Sequence, residues 1–540
     1  MFLRTSGVKP LYICMAVAFL TVFGACHEEV VSAATPESGP SPDREAPSVP
    51  GDVGATALAL DRIEVSWSAS SDNVGVTGYR IERDGSVAHE TAQTSWSDEG
   101  LESGSTHAYR VLAFDEAGNL SDWSAVASAT TPDDDPEPQD VWYVGPDRTY
   151  KTITQVAPLL EPGDLVLVDG GHVYAGAIMF SVPGTAGAPI TIRGVRVNGS
   201  RPVIEGGRDV VEFNMNHYVF EGFEIQGAGF RGLFHHADDI TIRDCVVHDC
   251  PHGILGADQG SGDCTLEYCE IYHNGEGDGR HQIYMSTNED DYPGSVFRMQ
   301  FCYVHDGTGG NNVKSRAERN EIYYNWLETP YYHNLELIGP DPYGGVAQDR
   351  AREDSDVAGN VLITQRYPRN VRIGGDSDGA GSYGRYRFVN NTFIHRNGDP
   401  RSHIFAHFGV ESVEMHNNVF YIGSHTVFDD SECEWASGRR VSGANNWVLT
   451  GATYPGEWTG TLTGSSPGFI DIDAGLFVPA AGSVLLDAGV SETVSPAGSP
   501  FPDPLPLPLY LPPQRMLIAP GTGQLRPVSV IIDIGAFEGN

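Results

Sequence analysis

The sequence predicts an all-β protein: a small N-terminal β-sandwich followed by a right-handed parallel β-helix, a solenoid of stacked coils. Three observations carry that expectation. Glycine makes up 64 of 540 residues and helical-period runs are few, which favours a turn-rich β architecture. One stretch of about 85 residues consists of short alternating runs broken by turns. Beyond it, segments spaced 22 to 36 residues apart share one register, the mark of a repeat fold.

Taken in order, residues 1–26 read as an export signal. Arg4 and Lys9 precede an apolar run from about Leu11 to Phe23, too short for a stable membrane span. The segment "FGAC" resembles a bacterial lipobox, which makes Cys26 the candidate lipidation site, with simple secretion as the alternative. The expectation is an exported monomer, secreted or held on the bacterial surface or outer membrane, touching a membrane only through that anchor. Residues 27–46 form a Pro/Ser-rich tether that cannot pack a core. The formal charge of −39 argues against nucleic acid or an anionic membrane as the main partner, since those need a basic face.

Residues 47–131 contain "RIEVSWSA", "TGYRIERDG" and "HAYRVLAFDEAGN", roughly seven strands of a sandwich. Trp67, Tyr79, Leu101, Tyr109 and "DEAGNLSDWS" make this stretch resemble a fibronectin type III domain, a module that usually acts as a spacer. An acidic linker, residues 132–140, ends it. Residues 141–540 are assigned to the solenoid, opening with "YKTITQVAPLLEPGDLVLVDGG", a short amphipathic helix and a buried strand that cover its open end.

Seven coils align on "CVV" at Cys245, "CEI" at Cys269, "CYV" at Cys302, "NWL" at Asn325, "NVL" at Asn360, "NTF" at Asn391 and "NVF" at Asn418. Stacked coils place equivalent residues about 4.8 Å apart. The alignment predicts a cysteine ladder continued by an asparagine ladder, with a structural rather than a redox or metal role for these thiols; a disulfide between neighbours stays open.

A second strand of each coil aligns as "HQIYMS", "NNVKSR", "HNLELI", "RNVRIG" and "SHIFAH". Period two sends Ile283, Val313, Leu335, Val371 and Ile404 inward. Three outward columns are then expected. The central one is Tyr284, Lys314, Glu336, Arg372 and Phe405. On one side stand Gln282, Asn312, Asn334, Asn370 and His403; on the other, Ser286, Arg316, Ile338, Gly374 and His407. His281, Asn311, His333 and Arg369 sit at the preceding corner. The strip suits an extended polymer, and from Gly310 to Arg372 eight basic residues face nine acidic ones, near neutrality in an acidic chain.

Lys314 stands out because the chain has only two other lysines, Lys9 and Lys151, among 33 basic residues. Arginine keeps its proton, whereas a lysine can lose it and act as a base. Flanking by Arg316 and Arg372 would favour the neutral amine, and Glu336 would oppose that unless occupied by Arg372 or a cation. A base beside arginines that bind a carboxylate is what β-elimination on a uronic acid requires, with Tyr284 or His281 as the acid.

The solenoid resembles the pectin-lyase-like right-handed β-helix superfamily, and the Lys-Ser-Arg-Ala segment resembles a group of bacterial β-helix proteins described by fold. More distantly it is similar to alginate lyases and chondroitinase B. That resemblance implies Lys314 as base and a calcium ion on Asn312 and Glu336. It implies arginine where this chain has Glu336, so Arg316 or Arg372 must substitute, leaving open calcium dependence and the acid. The expected activity is a polysaccharide lyase acting on an acidic polysaccharide, with Gln282, Asn312, His333, Asn334, Arg369, Asn370, His403 and Phe405 lining the substrate. Two alternatives remain: a glycoside hydrolase using carboxylates such as Glu336, Asp376 and Asp378, and a noncatalytic surface glycan-binding lipoprotein.

Overall fold

Period-two runs bounded by glycine and asparagine turns become short strands throughout the chain. The computed structural model describes residues 43–59, 62–131, 140–257, 259–339, 353–376, 381–396, 401–422, 425–501, 507–527 and 531–539. The export signal, Cys26, most of the tether and linker, Asp378 and most of the loop after Gly339 lie outside them.

The first unit has seven strands, from Gly51–Ala59 to Ala127–Thr130, in sheets of three and four. Ile63, Val65, Trp67, Tyr79, Leu101 and Tyr109 fill the space between them. These include the four large residues that carried the fibronectin type III resemblance.

The second unit is a parallel β-helix. Among the described residues its coils contribute to three parallel sheets of twelve, ten and twelve strands, and each strand pairs with its equivalent one coil on. The N-terminal end is closed by the helix Ile153–Val156, whose buried Ile153 and Val156 join the solenoid core. Gln155 reaches back to the backbone N–H of Lys151 and Thr152, fixing the first turn.

The ladder expected from the sequence is present and one coil longer. Cys245, Cys269 and Cys302 are buried free thiols that donate to backbone carbonyls. Asn325 then accepts the Cys302 N–H at 2.9 Å, and Asn360, Asn391, Asn418 and Asn446 continue, each accepting from the residue below. The residue before each of these is left-handed, as at Tyr268, Phe301, Tyr324 and Asn390. That conformation turns the chain, and the ladder amides satisfy the backbone groups the turn exposes.

The register of the second strands is as aligned. Tyr284, Lys314, Glu336, Arg372 and Phe405 are successive partners in the ten-stranded sheet, on strands Ile283–Ser286, Val313–Arg316, Leu335–Ile338, Arg369–Gly374 and Ser402–Ala406. Ile283, Val313, Leu335, Val371 and Ile404 are in the core.

One column differs from expectation. Gln282, Asn312, Asn334, Asn370 and His403 do not face outward; each is fully buried. Gln282 donates to Asn312, Asn312 to Asn334 and Asn334 to Asn370, all at 2.8–2.9 Å. The chain turns at this column, so two successive residues point inward, and period-two alternation fails there. Gln282, Asn312, Asn334 and Asn370 form a second internal ladder, His403 packs on Phe393 and Phe420, and none of the five can line a substrate as the sequence suggested.

Candidate functional site

The outward column brings a charged cluster to one face of the ten-stranded sheet. Lys314 projects from the strand Val313–Arg316, with its amine 5.3 Å from the centre of the Tyr284 ring on the coil before. Glu336 follows on the next coil, 3.5 Å from the amine, and Arg372 on the coil after that, 2.7 Å from the other oxygen of Glu336. Glu336 is therefore occupied by Arg372, the condition under which its pull on Lys314 is shared.

Arg316 leans across the same face. Its Nε donates to the Tyr284 hydroxyl at 2.9 Å, one terminal nitrogen to the Gly339 carbonyl, and the other to Asp376 at 2.7 Å. Its side chain is 3% exposed and every nitrogen is engaged. Arg372 is similarly committed to Glu336, Asp376, the Gly375 and Asp376 carbonyls and Nδ1 of His407. Neither terminal fork is open as a carboxylate clamp in this arrangement, which corrects the expectation that both arginines stand ready for substrate.

Asp376, which the sequence offered only as a candidate carboxylate of the hydrolase alternative, joins the cluster around Lys314. Strand Arg369–Gly374 ends on a left-handed glycine, Gly374, where a side chain would strike the Phe408 carbonyl. The chain doubles back and sets the Asp376 carboxylate against Arg316, Arg372 (3.1 Å) and Lys314 (4.0 Å). Two glycines followed by an acid, four residues after a site arginine, was the available signal. Asn311 was placed only at a corner; its amide donates to Glu336 at 2.7 Å.

Burial alone would raise the carboxyl of Glu336, but Lys314 and Arg372 outweigh it and hold the group well below the usual range. Asp376 is lowered for the same reason, by Lys314 and Arg316 against burial. Both carboxylates are ionised. Three cations against two carboxylates leave the cluster one charge positive.

The corner histidines are neutral. Burial, then the Lys314 charge, takes His281 down to about 3, and burial takes His333 to about 4. His281 accepts the Asn311 N–H on Nδ1 at 2.9 Å, so its proton sits on Nε2. Arg369 lies flat on Phe405, 3.7 Å from the ring centre, and covers the platform expected for a sugar.

These buried histidines set an acid limit on the fold. Their folded values lie below the ordinary 6.5, so between about pH 6.5 and 4 the unfolded chain binds more protons and stability falls as pH falls. His235 and His252, each at about 4 through burial, add to the effect, and Glu336 and Asp376 extend it below the carboxylate range. The melting midpoint is expected to drop by about 10 °C or more from pH 7 to pH 4; a flat profile by scanning calorimetry would refute this.

Calcium takes six to eight oxygen ligands. Asn312 faces the internal ladder, its oxygen on Gln282 and its nitrogen on the Glu328 carbonyl and Asn334, whereas Glu336 faces outward onto two cations. The two do not converge, so the calcium pair implied by resemblance is not formed, and no step is assigned to a metal.

No family model matches the chain. An alpha-amylase of Niallia circulans is 47% identical over 91 residues, 17% of this chain and 7% of that protein. Chitinase Chi52 of Paenibacillus xylanexedens is 40% identical over 92 residues, covering 18% of it, and Exoglucanase B of Cellulomonas fimi 40% over 91, covering 8%. The chain thus spans less than a fifth of these curated relatives, a length matching the sandwich. Among solved structures, pectate lyase Pel9A is similar over 75% of this chain and 97% of its own, with TM-score 0.45 and 15% identity. FN3tt is similar over 16% of this chain and 98% of its own, with TM-score 0.15 and 18% identity. By its own architecture the chain is a parallel β-helix protein with a fibronectin type III-like module ahead of it.

Proposed function

We propose that this protein degrades an acidic polysaccharide outside the cell by β-elimination at a uronate, with Lys314 as base and Tyr284 as acid. The observation that carries the reading is the gathering of Lys314, Arg316, Arg372 and Tyr284 around a carboxylate on one outward column. A uronate carboxylate bound by these cations would have its C5 proton acidified, because the negative charge that develops on removal is spread onto it. Lys314, after giving up its own proton to solvent, takes that proton as the neutral amine, while Arg316 and Arg372 hold the carboxylate. The electrons form the C4–C5 double bond and expel the C4 oxygen, which Tyr284 protonates. The guanidinium hydrogen bond to the phenol oxygen favours the phenolate left behind.

The hydrolase alternative needs one protonated carboxyl as general acid. Glu336 and Asp376 are both held ionised, which disfavours it. The relatives of the sandwich, named an alpha-amylase, a chitinase and an exoglucanase, support a carbohydrate setting. The test is ultraviolet absorbance of unsaturated uronate during incubation with a panel of uronic polysaccharides. A rise on one polymer is expected; new reducing ends without absorbance would mean hydrolysis, and retention without either would mean a binder.

Two further outcomes are expected in that assay. Tyr284→Phe keeps KM within about threefold and lowers kcat by about 10²-fold, the range of a lost proton donor. A chelator leaves the rate unchanged, since cations of the chain occupy Glu336; a rate restored only by added calcium would overturn that point.

A further inference from the structure

The site holds a carboxylate of its own where a substrate carboxylate is needed. Asp376 meets Arg316 at 2.7 Å, Arg372 at 3.1 Å and Lys314 at 4.0 Å. The remaining groups around these cations are also spoken for. Glu336 holds Arg372 and Lys314, the Tyr284 hydroxyl and Gly339 carbonyl hold Arg316, and His407 takes a further Arg372 nitrogen. No terminal guanidinium fork is left for a second carboxylate while Asp376 is in place.

We infer that Asp376 is a displaceable stand-in for the substrate's uronate carboxylate, a latch that keeps the anion slot filled until polymer exchanges for it. Three features make it the group that leaves. Its side chain is 32% exposed, against 7% for Glu336, 3% for Arg316 and 16% for Arg372. It sits beyond the end of its strand, after Gly374 and Gly375, whereas Glu336 is locked in mid-strand and tied by Asn311. The exchange is one carboxylate for another, so the cluster keeps its net charge and the buried guanidinium of Arg316 is never left without an anion, a state that would be costly. The inference rests on the elimination reading for the identity of the incoming group, and not for the slot itself.

The consequence is unusual for a site aspartate: removing it should improve binding. Asp376→Asn and Asp376→Ala are to be compared with the unchanged protein for binding of sodium glucuronate, with methyl glucoside as the uncharged control, by calorimetry at fixed ionic strength. Both variants are expected to bind glucuronate at least about tenfold more tightly, with no gain for methyl glucoside, and to lower KM on the cleaved polymer. Unchanged or weaker glucuronate binding by variants that melt within a few degrees of the parent would overturn the latch; so would a fall in kcat with KM constant, the signature of a group acting in the reaction. Should one variant fail to fold, the other decides. Tighter glucuronate binding with no unsaturated product from any polymer would sustain the latch and defeat the elimination reading, so the two failures are separable.

Discussion

Lys314→Ala is expected to lower kcat for elimination by about 10³-fold, with polymer binding changed only a few-fold. Lys314→Arg is the decisive companion. An arginine at this position keeps a positive charge near Glu336 and Asp376, and its length suits the 3.5 and 4.0 Å ion pairs. It cannot give up its proton. If Lys314 is the base, the arginine variant is as inactive as the alanine one. If its task is only to neutralise carboxylates, the arginine variant retains activity within about tenfold. Initial rates of unsaturated product at saturating polymer separate the two, and circular dichroism establishes that both variants fold. Among the basic residues of this cluster the amine is the one that can change charge, which is why one of only three lysines among 33 basic residues pointed to it.

Asn360→Ala is expected to cost about 3–5 kcal/mol, a large fraction of the stability of an ordinary domain. The carboxamide is fully buried and makes its bonds along the stack. Its oxygen accepts the Asn325 N–H at 2.8 Å and the Asn325 amide at 3.0 Å, while its nitrogen donates to the Ile322 carbonyl at 2.8 Å and to Asn391. Truncation strands several polar groups where no water reaches. Gln365, exposed on the same coil, is the control, and its alanine variant should fall within about 0.5 kcal/mol of the parent. Urea midpoints measure both. A loss below about 1 kcal/mol for Asn360→Ala would mean that the ladder marks the fold without holding it.

The register of the solenoid was legible in the sequence because it repeats. A ladder residue recurs in each coil at the same distance from an apolar pair, so Cys245 to Asn418 could be aligned with no structure at hand. The central column followed from the same alignment, and Tyr284, Lys314, Glu336, Arg372 and Phe405 fall in one line. The neighbouring amide column was misread because alternation predicts direction only while the chain runs straight. Where it turns, at Gln282, Asn312, Asn334 and Asn370, two successive side chains enter the interior and hydrogen-bond along it. An amide at such a position looks the same in sequence whether it faces sugar or core.

What the sequence determined by itself is the class of fold, a sandwich ahead of a solenoid, and it offered Lys314 as the candidate base, since these rest on periodicity and composition, which are local or repetitive. The tertiary structure decided how the charges pair. Whether Glu336 pairs with Lys314, Arg372 or both, and whether Arg316 is free or filled, depends on distances of a few ångströms between coils and on the turn at Gly374 that brings Asp376 back. Electrostatic partnership falls off with distance in space and not along the chain. A carboxylate two residues beyond the end of a strand can therefore become the anion that three cations share.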